Sequence, residues 1–133
     1  MIVDHIGYAV KDIKKAKEEF ETLGFEFEEL VEDTDRNIFI RFGNNGCYRI
    51  ELIQTMNEEE PSPVKEILKK NGPTPYHLCY KTPDIEQEVN RLKEEKWLMI
   101  SPPKRAIAFG ENARVAFLLK RAVGLLEIVE EKN

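Results

Sequence analysis

"DHIGYAVKDI", Asp4 to Ile13, returns 72 residues later as "YHLCYKTPDI", Tyr76 to Ile85. His5, Tyr8, Asp12 and Ile13 reappear as His77, Tyr80, Asp84 and Ile85, and these are the only two histidines in the chain. An internal echo of this kind fixes architecture before any single element does. Each copy reads as a short apolar strand followed by an aspartate at a helix N-cap. After Asp12, the residues Ile13, Ala16, Phe20 and Leu23 recur at helical spacing, and Gly24 is placed to end the helix. After Asp84, Gln87 makes a capping-box-like start and Ile85, Val89 and Leu92 mark the buried stripe.

Outward from the echo, each copy continues in strands. "FEFEELVE" (Phe25 to Glu32) alternates, and "RNIFIRFG" and "YRIELIQ" are separated by the turn signal "NNG". In the second copy "WLMI", "ARVAFLLK" and "GLLEIVE" take those places. Between them "PSPVKEILKKNGP" predicts a connecting helix opening at Ser62 and Pro63 and stopping at Asn71 and Gly72. The expected layout is a single domain over 1–133: module one at 1–56, a connecting helix at 61–72, and module two at 74–131. Both modules read β-α-β-β-β, an α+β class. Between Ser101 and Arg114 no regular pattern stands out, which predicts a 14-residue flap carrying Phe109 and Gly110.

Side chains alternate along a strand, so His5 shares a face with Gly7 and Ala9 while Ile6, Tyr8 and Val10 point toward the helix. By the same rule His77 shares its face with Cys79, and Glu51 and Glu127 lie opposite the aliphatic residues that flank them. Each module therefore ends on a strand glutamate, 46 residues after its histidine in the first and 50 in the second. Two unpaired carboxylates in apolar strands are costly to bury. Two imidazoles and two carboxylates together suit a divalent cation.

Composition narrows the partners. The 133-residue chain is 41% apolar, enough for a genuine core, and carries a net charge of -5 with a pI near 5.2. That charge offers no basic field for nucleic acid or anionic membrane. There is no apolar run long enough to span a bilayer, and the start lacks a secretory h-region. Cys47 and Cys79 form no C-x-x-C pair. The expectation is a cytoplasmic protein acting on a small molecule.

The "HIGYAVKDI" start, the "IELI" and "YHLCY" strands and the terminal "LLEIVE" resemble the vicinal oxygen chelate superfamily, which contains glyoxalase I, methylmalonyl-CoA epimerase, extradiol dioxygenases and metal-free antibiotic-binding proteins. The resemblance implies paired βαβββ modules whose curled mixed sheet encloses a metal site. It implies His5, Glu51, His77 and Glu127 as ligands of a divalent ion (Ni, Co, Zn or Mn), Glu51 and Glu127 as the proton-transferring groups, and a homodimer. The stretch from "IELIQ" through "YHLCY" is similar to methylmalonyl-CoA epimerase in particular. The place of one epimerase base falls by alignment on Asn37, which cannot take a proton, and "LLKRAVG" replaces an expected His-Pro-Lys turn. The function implied first is therefore proton transfer next to a carbonyl of the glyoxalase I type (lactoylglutathione lyase-like), through an enediolate. The alternatives are a methylmalonyl-CoA epimerase-like isomerase and a non-catalytic small-molecule-binding protein. The substrate is then a thiol hemithioacetal or an acyl-CoA, with Arg49, Cys79, Phe109 and Arg114 as candidate substrate contacts.

Overall fold

The computed structural model describes residues 1–131 and divides them into two compact units. One unit spans His5–Tyr76; the other joins Met1–Asp4 to the chain from His77 onward. Among the described residues there are nine strands and three α-helices, with parallel and antiparallel pairing mixed in each unit, the α+β class that the sequence indicates.

In the amino-terminal unit, β1 (Ile2–Ala9) leads to α1 (Ile13–Glu21), then to β2 (Glu26–Phe27), β3 (Val31–Asp33), β4 (Ile38–Asn44) and β5 (Arg49–Thr55). The order across the sheet is β2-β4-β5-β1, with β3 also on β4. Asp12 caps α1 by accepting a hydrogen bond from Lys15 N at 3.2 Å, as its place in the echo predicts. The helix buries Ile13 and lays Ala16 and Phe20 on a cluster of Val10, Phe25, Ile50 and Leu52, joined by Ile6 and Tyr8. Edge-on ring contacts of Phe20 with Tyr8 and Phe25 lock this layer.

Two expectations change here. Leu23 lies beyond the end of α1, at Glu21, and is 67% exposed instead of completing the buried stripe. "FEFEELVE" is two strands and not one: Phe27 pairs with Gly43, but Val31 pairs with Ile40, one step out of register. A single inserted residue exchanges the faces of the strand, so Phe25 and Phe27 turn to the helix while Asp33 lies with Ile38. Gly43 is what lets Phe27 in, since a Cβ there would stand 2.5 Å from the ring.

The helix α2 runs only over Lys65–Asn71, with Gly72 at positive φ closing it. The predicted start at Ser62 is otherwise employed: its hydroxyl bonds the Thr55 hydroxyl at 2.7 Å.

The carboxy-terminal unit contains β6 (Thr74–Thr82), α3 (Ile85–Glu94), β7 (Leu98–Arg105), β8 (Arg114–Lys120) and β9 (Gly124–Glu130), in the order β6-β9-β8-β7. Asp84 caps α3 through Gln87 N, and Ile85, Val89 and Leu92 pack on Ala116, Leu118, Leu126 and Ile128. The expected 14-residue flap is shorter, because β7 continues through Ser101–Arg105 before a 3₁₀ turn at Ile107–Phe109. β7 lies at the sheet edge and shifts register at two points, which is where Pro102 and Pro103 are tolerated in a strand.

Among the described residues no helix is long and apolar enough to cross a membrane.

Candidate metal and proton-transfer site

Each unit places one histidine against one glutamate by the same strand geometry. In the amino-terminal unit β1 and β5 run parallel with Gly7 beside Glu51, and His5 sits two residues before Gly7 on the same face. In the carboxy-terminal unit β6 and β9 run parallel with Cys79 beside Glu127, and His77 sits two residues before Cys79. The side chains meet accordingly: His5 Nε2 lies 3.3 Å from Glu51 Oε1, and His77 Nε2 lies 3.1 Å from Glu127 Oε1. All four residues are buried, His5 completely.

The antiparallel neighbour completes each constellation. Phe42 on β4 faces Glu51 across the ladder, and Phe117 on β8 faces Glu127. Their rings meet the histidines edge-on, His5 to Phe42 at 5.5 Å and His77 to Phe117 at 5.7 Å. A wall of this kind fixes imidazole orientation and keeps water from the carboxylate. Sequence reading missed both phenylalanines, because a phenylalanine in an apolar strand carries no sign that it faces a polar group. The available signal was their near-equal spacing, nine and ten residues ahead of the repeated glutamate.

The donor chemistry fits a divalent ion. Imidazole nitrogens and carboxylate oxygens are its ordinary ligands, and burial excludes competing water. With metal–ligand bonds of about 2.1 Å, two adjacent ligands of one ion stand roughly 3.0 to 3.4 Å apart in octahedral or tetrahedral geometry. The two His–Glu separations fall in that interval.

The remaining candidates are placed unequally. Arg49 is two residues from Glu51 on the same face of β5, with its guanidinium carbon 3.8 Å from the Phe42 ring centroid and Nη2 3.4 Å from Glu28. It stands at the partly exposed rim of the amino-terminal constellation. Cys79 is fully buried in a cluster with Ala106, Val115 and Val129, against which Phe109 and Phe117 pack. Phe109 is thereby held by the 3₁₀ turn and apolar contacts, a setting unlike the free flap expected for it.

Arg114 departs most from expectation. It shares the helix side of β8 with Ala116 and Leu118, and its guanidinium is divided between Glu86 on α3 at 2.9 Å and Glu130 on β9 at 3.2 Å. The hydrogen bond it donates to Glu86, followed by those it donates to Glu130, holds it more firmly protonated than a free arginine. This ion cluster ties α3 to the sheet, and Glu130 also accepts from Ile85 N.

Asn37 has a structural task too. At φ 60 it opens β4, donates its amide to the carbonyls of Asn57, Glu60 and Pro61, and accepts from Asn57 N, so it shapes the acidic loop after β5.

Residues 4–117 match the family model described as Glyoxalase/Bleomycin resistance protein/Dioxygenase superfamily. The chain is 29% identical to the uncharacterized protein YqjC of Bacillus subtilis, over 98% of this chain and 93% of that one. It is 31% identical to an ethylmalonyl-CoA/methylmalonyl-CoA epimerase of Cereibacter sphaeroides, over 69% of each. In fold it is similar to a methylmalonyl-CoA epimerase variant of Streptomyces coelicolor solved in complex with 2-nitronate-propionyl-CoA: TM-score 0.85, 22% identity, 100% of this chain and 99% of the other.

Proposed function

The chain belongs to the glyoxalase/bleomycin resistance protein/dioxygenase superfamily, and on that footing we propose that it is a divalent-metal-dependent epimerase of a 2-carboxyacyl-CoA thioester. The observation that carries the reading is the repeated, buried His–Glu pair, one in each unit and built by identical strand register. His5, Glu51, His77 and Glu127 would hold one ion between them. A divalent ion, when bound, supplies Lewis acidity at the thioester carbonyl and so makes the C2 proton easier to remove.

The rest belongs to the chain. Epimerisation takes a proton from one face of C2 and returns one to the other, so it needs two proton-handling groups of similar character. Glu51 and Glu127 are such a pair, equivalent in register and burial. Phe42 and Phe117 exclude water from them, which keeps the abstracted proton local. Arg49 at the rim would receive the free carboxylate of the substrate.

Glyoxalase-type proton transfer, ranked first from the sequence, asks the same of these glutamates, and the relatives favour the epimerase. The objection from Asn37 also loses force: its amide is committed to the loop after β5, and in this proposal the two strand glutamates take the proton-handling roles instead. A homodimer, as the resemblance implies, and a cytoplasmic location, as the composition suggests, form part of the same proposal.

Single-enantiomer methylmalonyl-CoA in D₂O with Ni²⁺, Co²⁺, Mn²⁺ or Zn²⁺ tests the reading. Deuterium at C2 with inversion, abolished by chelator, is the expected result. Turnover of the methylglyoxal hemithioacetal alone would restore the lyase, and exchange with neither substrate would remove both.

A further inference from the structure

A cleft of about 480 Å³ between α1 and β4 takes no part in this chemistry; Lys14, Lys17, Glu18, Leu30, Phe39 and Arg41 line it. Arg41 lies on β4 beside Phe42, so its side chain leaves the opposite face of the sheet from Glu51, toward the helix side where Phe39 packs. Its Nε is buried with no hydrogen-bond partner, and among the described residues its guanidinium forms no ion pair. A guanidinium presents five donors and is rarely left unmatched when shielded from water.

The neighbours do not supply the acceptor: Glu18 also lines the cleft, but it forms no ion pair with Arg41. Asp12 is occupied in capping α1, and Gln54 Oε1 takes the Ile13 N–H at 2.8 Å. Lys17 pairs with Glu21 at 3.2 Å, leaving Lys14 as a second cation on the cleft. Leu30, 43% exposed, and half-buried Phe39 add an apolar wall. An uncommitted arginine in a chain with an excess of acid, set in a cleft with an apolar side, has the chemistry of a receptor for an organic anion.

The geometry points to a second ligand site here, separate from the His–Glu pairs: a small organic anion whose carboxylate or phosphate is gripped by Arg41 and Lys14 and whose short apolar body rests on Leu30 and Phe39. The site stands independently of the epimerase reading, since its binding is measured without turnover.

The shielded Nε–H of Arg41 gives a direct NMR signal. Benzoate, phenyl phosphate and inorganic phosphate are titrated into ¹⁵N-labelled full-length protein. Saturable shifts are expected at Arg41 Nε–H and at the amides of Lys14 and Lys17, with both aromatic anions binding roughly tenfold tighter than inorganic phosphate. Arg41→Gln should weaken the aromatic anions by at least about tenfold, and Lys14→Gln, at an exposed position, by a few-fold. Absence of saturable shifts with all three probes would overturn the site. So would unchanged affinity in Arg41→Gln or, should that variant not fold, in Lys14→Gln. Equal affinity for all three probes would refute the apolar wall.

Discussion

The two units share their chemistry and differ in what surrounds it. His5, Glu51 and Phe42 correspond place for place to His77, Glu127 and Phe117. Around them the equivalences fail: Gly7 stands where Cys79 stands, Arg49 where Leu125 stands, and Gly43 where Leu118 stands. The helix-side layer carries more aromatic rings in the amino-terminal unit than in the carboxy-terminal one, which is mostly aliphatic. What stays constant is the buried histidine and glutamate of each unit, with a phenylalanine beside them. What varies is packing, together with one charged rim residue, Arg49, to which the proposed function assigns the substrate carboxylate.

The sharpest way to break the equivalence is at the glutamates. Glu51→Gln and Glu127→Gln should each lower C2 deuterium exchange by about 10²- to 10⁴-fold. A large loss in one and none in the other would mean that a single residue serves as base. Next is Gly43→Ala, which drives a methyl group toward the Phe27 ring and should cost about 1 to 3 kcal/mol in chemical denaturation. A neutral result would show that the ring swings aside and that this asymmetry between the units is incidental. Arg49→Gln should raise KM for a carboxylated acyl-CoA by about tenfold while leaving kcat nearly unchanged, whereas Leu125→Ala should not alter that selectivity. Smallest are the two caps: Asp12→Ala and Asp84→Ala should each cost about 1 kcal/mol, equal within error if the repeated helix starts are energetically equivalent.

Where local chemistry decides the structure, the sequence was legible. Asp12 and Asp84 announce the helix starts because an aspartate capping backbone N–H groups is a local event. The alternation around His5, Glu51, His77 and Glu127 assigned their faces for the same reason, whereas the contacts His5–Glu51 and His77–Glu127 follow from the parallel pairing of β1 with β5 and of β6 with β9. Features set by distant partners were not legible. The inserted residue between β2 and β3 shows only in the register with β4, and Phe42 and Phe117 become site residues only through the strand opposite. The stretch from Ser101 to Arg105 shows no regular pattern because it forms an irregular edge strand, whose register shifts accommodate Pro102 and Pro103. Arg114 was read as an available cation because nothing nearby in sequence reveals Glu86 and Glu130 converging on it.

Metal stoichiometry of the full chain tests the central claim most directly. The protein, stripped with chelator and reloaded with each divalent ion, should bind one ion per chain, and His5→Ala or His77→Ala should each weaken that binding by at least about a hundredfold. Two independent ions per chain, none at all, or full binding after loss of either histidine would contradict a single site shared by the two His–Glu pairs.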